Sequence, residues 1–322
     1  MSQASSTRPA SARLHLASLK GYWLVVAAAG CWATSGIFTK QILINYAPPP
    51  LALAFWRDAL TFAMMFGALV LFRRGQLRVA RRDWLPLVAL GVISVGIFHV
   101  LWVYAVSLIG VAPAVVLNYT APAFAVLFAW LLWREPITLP KIGAVFLTFA
   151  GCLLVAQIYD LSRFRLNWVG FLVGLGTGIT WATYPIFSKM VLKRYSSWTV
   201  VTYAFGLSAL TILLPQPVQT LSYPWSQPAE MWFWLLLLAL VPTVAGFWLY
   251  SVGLRHLTVG TAMITATVET VAAALLAFLI FGDILGVVQI LGGALIVTGI
   301  VLLARKGPAA EPDVSTGAGH NI

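Results

Sequence analysis

Charge and sulfur are the scarce things in this chain. Of 322 residues, nine are Asp or Glu, twenty are Lys or Arg and two are Cys. Charged residues make up 9%, where a soluble globular chain carries about a quarter. That scarcity excludes a soluble domain of any size. Cys31 and Cys152 each lie inside an apolar run, so neither a disulfide framework nor a cysteine metal cluster is expected. There is no His/Cys metal spacing, no Gly-rich phosphate loop and no nucleophile elbow, so no enzyme, metal or cofactor is expected. What remains is 61% hydrophobic. This is the composition of a polytopic membrane protein.

Apolar runs long enough for a bilayer, about 20 residues, fall near 22–44, 51–72, 84–107, 111–133, 138–157, 166–189, 198–214, 231–253, 258–281 and 285–304. Ten spans are expected, with polar tails at 1–20 and 306–322. Ala28-Ala29-Gly30-Cys31 has the look of a lipoprotein cleavage box. The apolar stretch continues past the cysteine, so a retained first span is expected instead. With the N-terminus cytoplasmic and the spans alternating, 16 of the 20 Lys and Arg collect on the cytoplasmic side. Only Lys40, Arg163 and Arg165 fall opposite, and Arg57 lies within a span. This positive-inside bias predicts both termini in the cytoplasm of a plasma membrane, the bacterial inner membrane by expectation. It also accounts for the net charge of +11 without nucleic acid. The expected partners are the lipid bilayer and a small-molecule substrate, and the expected state is a monomer.

The chain repeats itself. Trp32-Ala33-Thr34, Ile37, Phe38, Lys40 and Leu43 recur as Trp181-Ala182-Thr183, Ile186, Phe187, Lys189 and Leu192, all at an offset of 149. A weaker match joins Trp102 and Tyr104 to Trp248 and Tyr250. Each copy opens a set of five spans, 21–157 and 166–305. Five is odd, so the halves insert upside down relative to each other. The predicted fold is all-α, ten transmembrane helices in two inverted five-helix repeats around a central cavity, the architecture of alternating access.

These motifs resemble the drug/metabolite transporter superfamily, in particular its ten-span EamA-type members. The resemblance covers about residues 21–305. It rests on Trp32/Lys40 and Trp181/Lys189 in the first span of each half, Arg57 in the second span, and Pro122 followed by Glu135 in and after the fourth. Gly151 and Gly299 occupy the closing spans. Two departures stand out: Thr270 follows Glu269 where many relatives have Pro, and Asp283 stands where Glu is usual. The resemblance implies a secondary transporter exporting small solutes. The aromatic content is most like the exporters of neutral or aromatic amino acids. Other metabolites or drugs are the alternative, and a membrane-embedded enzyme or scaffold a more distant one.

Polar and aromatic residues inside spans are the candidate site, because an ionisable group in hydrocarbon normally faces a partner or a cavity. The expected substrate-binding set is His99, Trp102, Tyr119, Trp181, Tyr184 and Trp248. His99 suits a carboxylate, or is a neutral histidine bonded to another helix. The tryptophans wall a cavity or simply pack. Arg57 and Asp58 are adjacent on a helix, where neighbours diverge, so each is expected to reach a different partner. Glu269 bonds a neighbouring helix or accepts a substrate ammonium. Lys40 and Lys189 either anchor at opposite interfaces or close gates by bonding backbone carbonyls. Pro185 frees the carbonyl of Trp181 and marks a hinge or a static kink. Gly170, Gly174 and Gly178 form a close-packing face.

Overall fold

The computed structural model describes residues 10–157, 167–216, 218–282 and 284–305. Arg163, Arg165, Asp283 and the outer parts of both tails lie outside the described residues. Helices carry the chain throughout: α1 (Ala10–Tyr46), α2 (Pro50–Phe72), α3 (Arg81–Ile109), α4 (Val111–Trp133), α5 (Leu139–Val155), α6 (Trp168–Leu192), α7 (Ser197–Leu213), α8 (Ala229–Leu254), α9 (Val259–Phe281) and α10 (Val287–Arg305). Eight are long and apolar enough to cross a bilayer. The other two, α5 and α7, are equally apolar but only 17 residues long.

Helix is the structure that hydrocarbon demands, because it satisfies every backbone group within the segment. The ends are written in the sequence. Pro50 opens α2, where a missing N–H costs nothing. The side chains of Asn167, Ser196 and Thr258 accept hydrogen bonds from the first turns of α6, α7 and α9. Gly110 (φ 84°) and Gly282 (φ 70°) stop α3 and α9 in backbone conformations that suit glycine. Outward faces are apolar, Phe146 at 70% exposure and Leu279 at 72% among them, which suits lipid rather than water.

Small residues let the helices approach. A Cβ added at Gly151 of α5 would lie 2.5 Å from the Gly292 carbonyl oxygen of α10, and one at Gly292 would lie 2.7 Å from the Gly151 oxygen. The expected glycine face of α6 is present, with Gly170 against Ile109, Gly174 against Leu117 and Gly178 against Thr120. On the other flank Gly21 of α1 packs beside Gly253 of α8.

Two helices depart from α geometry. Residues Leu90–Ile97 of α3 and Ala239–Ala245 of α8 form wider π turns. The α8 stretch contains Pro242, which cannot donate an α-helical bond, and Thr243 returns its hydroxyl to the Leu238 carbonyl at 2.9 Å. Helix α6 runs continuously through Pro185, and the wider turns lie in α3 and α8. Helices α4 and α9 are each interrupted, at Tyr119–Thr120 and at Thr267. The same bond marks both interruptions: Thr120 Oγ1 donates to the Leu117 carbonyl (2.6 Å) and Thr267 Oγ1 to the Ile264 carbonyl (2.7 Å).

Candidate functional site

A cavity of about 310 Å³ opens where these irregular segments meet, with walls from α1, α2, α3, α4, α6, α8 and α9. Each π stretch leads directly into it: Phe98, His99 and Trp102 follow the first, and Phe247 follows the second. Tyr119 and Glu269 reach it from the interruptions of α4 and α9.

One wall is aromatic. Trp181 lies 5.8 Å from Trp32, 5.3 Å from Phe98 and 5.8 Å from Phe247, ring centre to ring centre. Phe98 stacks on Trp102 at 6.4 Å. Behind this wall Tyr184, Tyr250 and Phe205 are fully buried and hold Trp181 and Phe247 in place.

Another part of the wall is ionic. Asp58 is completely buried and has three partners: Arg57 Nε (3.1 Å), His99 Nδ1 (2.9 Å) and the Ser208 hydroxyl (2.6 Å). Arg57 Nη2 lies 2.5 Å from His99 Nε2. The same Nη2 also lies 3.0 Å from His99 Nδ1. A histidine that donates from Nδ1 to Asp58 and accepts at Nε2 from Arg57 satisfies the two shorter contacts, and the network favours that tautomer. The adjacent pair thus corrects the expectation of separate partners. The long Arg57 side chain folds back over the helix surface, and both groups meet at His99.

Four of the six expected substrate residues line the cavity: His99, Trp102, Tyr119 and Trp181. Tyr184 and Trp248 do not. Tyr184 lies buried behind Trp181. Trp248 packs on Trp198, 5.8 Å away, because the cavity-facing positions of α8 are Thr243 and Phe247, one turn apart. The next residue points about 100° away on a helix. Glu269 is a cavity residue, as is Arg57, whose side chain is 21% exposed. Trp32, Phe98, Asn118 and Phe247 also line it. The repeat pairing of Trp32 with Trp181 was the sequence signal for the first of these. The other three carry no signal, since phenylalanine and asparagine in apolar runs read equally well as packing.

The two lysines differ. Lys189 donates to the Leu257 carbonyl at 3.0 Å. Lys40 lies over the Phe281 ring, 3.7 Å from its centre. Neither lines the cavity. At one end of the bundle Glu135 and Lys141 form a buried ion pair (3.5 Å), and Lys141 also donates to the Pro136 carbonyl.

Residues 19–157 and 168–305 each match the EamA-like transporter family. The chain belongs to that family. An EamA-like protein is a multi-pass membrane transporter, not an enzyme. An uncharacterized transporter of Bacillus subtilis (strain 168), YwfM, is 30% identical over 292 residues, 89% of this chain and 95% of that protein. A probable terminal-alkyne amino-acid exporter of Streptantibioticus cattleyicolor is 25% identical, covering 92% of this chain and 97% of its own. The pseudopaline exporter CntI of Pseudomonas aeruginosa is 23% identical, with 80% and 87% covered. A solved crystal structure superposes with a TM-score of 0.74 over 90% of this chain and 98% of that one, at 21% identity, which supports the fold.

Proposed function

We propose that this EamA-like protein exports small neutral or aromatic amino acids by alternating access. Its ten helices act as two inverted five-helix halves in the bacterial inner membrane, with both termini cytoplasmic. The observation that carries this reading is the cavity itself. At about 310 Å³ it lies at the small end of ligand clefts, roughly 300–1,000 Å³. That volume suits a single amino acid better than a bulky drug. Its aromatic wall offers apolar contact to a side chain, and its ionic wall offers polar contact to a backbone-like head.

The matching interruptions of α4 and α9 support the alternating part. Broken helices at the meeting of two repeats are where transporters place their sites. The relative named as an amino-acid exporter supports the substrate class. The relative named as a pseudopaline exporter supports the second reading, export of another metabolite. Proteoliposomes loaded in turn with members of an amino-acid panel, at two internal pH values, test the proposal. Counterflow of labelled phenylalanine or another neutral amino acid is the expected result, with or without a pH difference. Flux of other metabolites with no amino-acid flux overturns it.

A further inference from the structure

We propose that the cavity is a zwitterion clamp, in which Arg57 takes the ligand carboxylate while Glu269 and Asn118 take its ammonium. The inference deepens the amino-acid reading and rests on it.

The argument is an inventory of hydrogen-bonding capacity. Three polar groups on the cavity wall are already engaged. His99 is held between Asp58 and Arg57, the Tyr119 hydroxyl accepts from Thr270 at 2.7 Å, and Thr243 is bonded to its own helix. Arg57 spends Nε on Asp58 and Nη2 on His99, and Nη1 makes no bond among the described residues. Glu269 accepts no hydrogen bond and pairs with no cation among the described residues. The Asn118 carbonyl oxygen is buried and has no hydrogen-bond partner among them. Beside the uncharged Trp32 Nε1–H and Ser35 hydroxyl, the wall therefore offers one cationic donor and two acceptors, one of them a carboxylate.

Each group is set in place. Asp58 holds the Nε edge of the guanidinium, and Asp58 is itself fixed by His99 and Ser208, so the Nη edge keeps its direction. Glu269 lies in the first turn of the second segment of α9, where the helix dipole favours a carboxylate. A site that offers unspent groups of both signs in apolar surroundings binds a ligand that carries both. A ligand with one charge leaves the opposite protein group desolvated and unpaired. The predicted ligand is a small α-amino acid of zero net charge, its side chain among Phe98, Trp102, Trp181 and Phe247.

The test compares L-phenylalanine, phenethylamine (no carboxylate) and 3-phenylpropionate (no ammonium) on the purified full-length protein, by binding in detergent and by counterflow in liposomes. The parent should bind phenylalanine about ten- to hundredfold more tightly than either analogue, the worth of one hydrogen-bonded charge. Glu269→Gln should shrink the gap to phenylpropionate and leave the gap to phenethylamine. Arg57→Gln should do the reverse, and Glu269→Gln alone decides the question should that variant fail to fold. Equal binding of all three ligands by the parent, or a proportional loss for every ligand in Glu269→Gln, overturns the clamp. Phenylalanine transport with both gaps surviving in Glu269→Gln sinks the clamp and leaves the export reading standing. Binding of glycine betaine in place of every amino acid sinks export and keeps a two-charge site. No binding by any of these ligands sinks both.

Discussion

Glu135 accepts a hydrogen bond from the backbone N–H of Val259 at 3.4 Å, so a carboxylate just beyond the end of α4 caps the start of α9. The two residues are 124 positions apart and belong to different halves of the repeat. The Glu135–Lys141 pair sits at the same junction, almost fully buried.

Breaking that pair leaves a buried charge without its partner. Lys141→Met should cost about 3 kcal/mol of stability, in the range of one-sided deletions of buried pairs. The double variant Glu135→Leu/Lys141→Met should recover a large part of the loss. Denaturation of the detergent-purified protein measures both, and additive losses would show that the pair is not a unit.

The aromatic wall should matter to the ligand more than to the fold. Trp102→Ala and Trp181→Ala should raise the substrate KM about tenfold or more by removing apolar contact. Trp248→Ala is the internal comparison. It lies on the Trp198 side of α8 and should leave KM within about twofold. Transport in liposomes settles the contrast, and unchanged kinetics in both Trp102→Ala and Trp181→Ala would refute the assignment of the wall.

The α5–α10 contact has no room for a side chain. Gly151→Leu should abolish folded protein, because even a Cβ there meets the Gly292 carbonyl at 2.5 Å. Gly67→Ala, with nothing within 4 Å of the added carbon, should be neutral or stabilising by up to about 1 kcal/mol. Yield and melting temperature after extraction report the difference.

Substrate movement should not require proton exchange. His99→Gln supplies one donor for Asp58 and one acceptor for Arg57, so the network survives while the titrating ring is gone. The variant should fold and transport nearly as the parent does. Should the parent accumulate solute under a pH gradient and the variant bind but fail to accumulate, His99 is a coupling site and the uncoupled reading is wrong.

Much of this architecture could be read before the coordinates. Long apolar runs located the helices, because hydrocarbon leaves the backbone little choice. The Gly170, Gly174 and Gly178 face and the cavity positions of His99, Trp102, Tyr119 and Trp181 were also legible. The rest depended on helix phase. Trp248 and Phe247 are neighbours in sequence and differ by about 100° in direction. The π turns upstream displace that phase without leaving a hydropathy signal. The Arg57–Asp58–His99–Ser208 network was hidden for another reason. It gathers three helices, and Ser208 lies 150 residues from the carboxylate it serves.

The wide turns at Leu90–Ile97 and Ala239–Ala245 have a consequence for how the chain tolerates insertion and deletion. A π turn holds more residues than an α turn over the same length of helix. Each stretch therefore carries spare contour just ahead of residues that line the cavity. Losing one residue there can tighten the turn to α geometry while His99 or Phe247 keeps its heading. The same loss between His99 and Trp102 would rotate Trp102 out of the cavity. Length variation is thus buffered ahead of the cavity residues of α3 and α8 and unbuffered among those of α3.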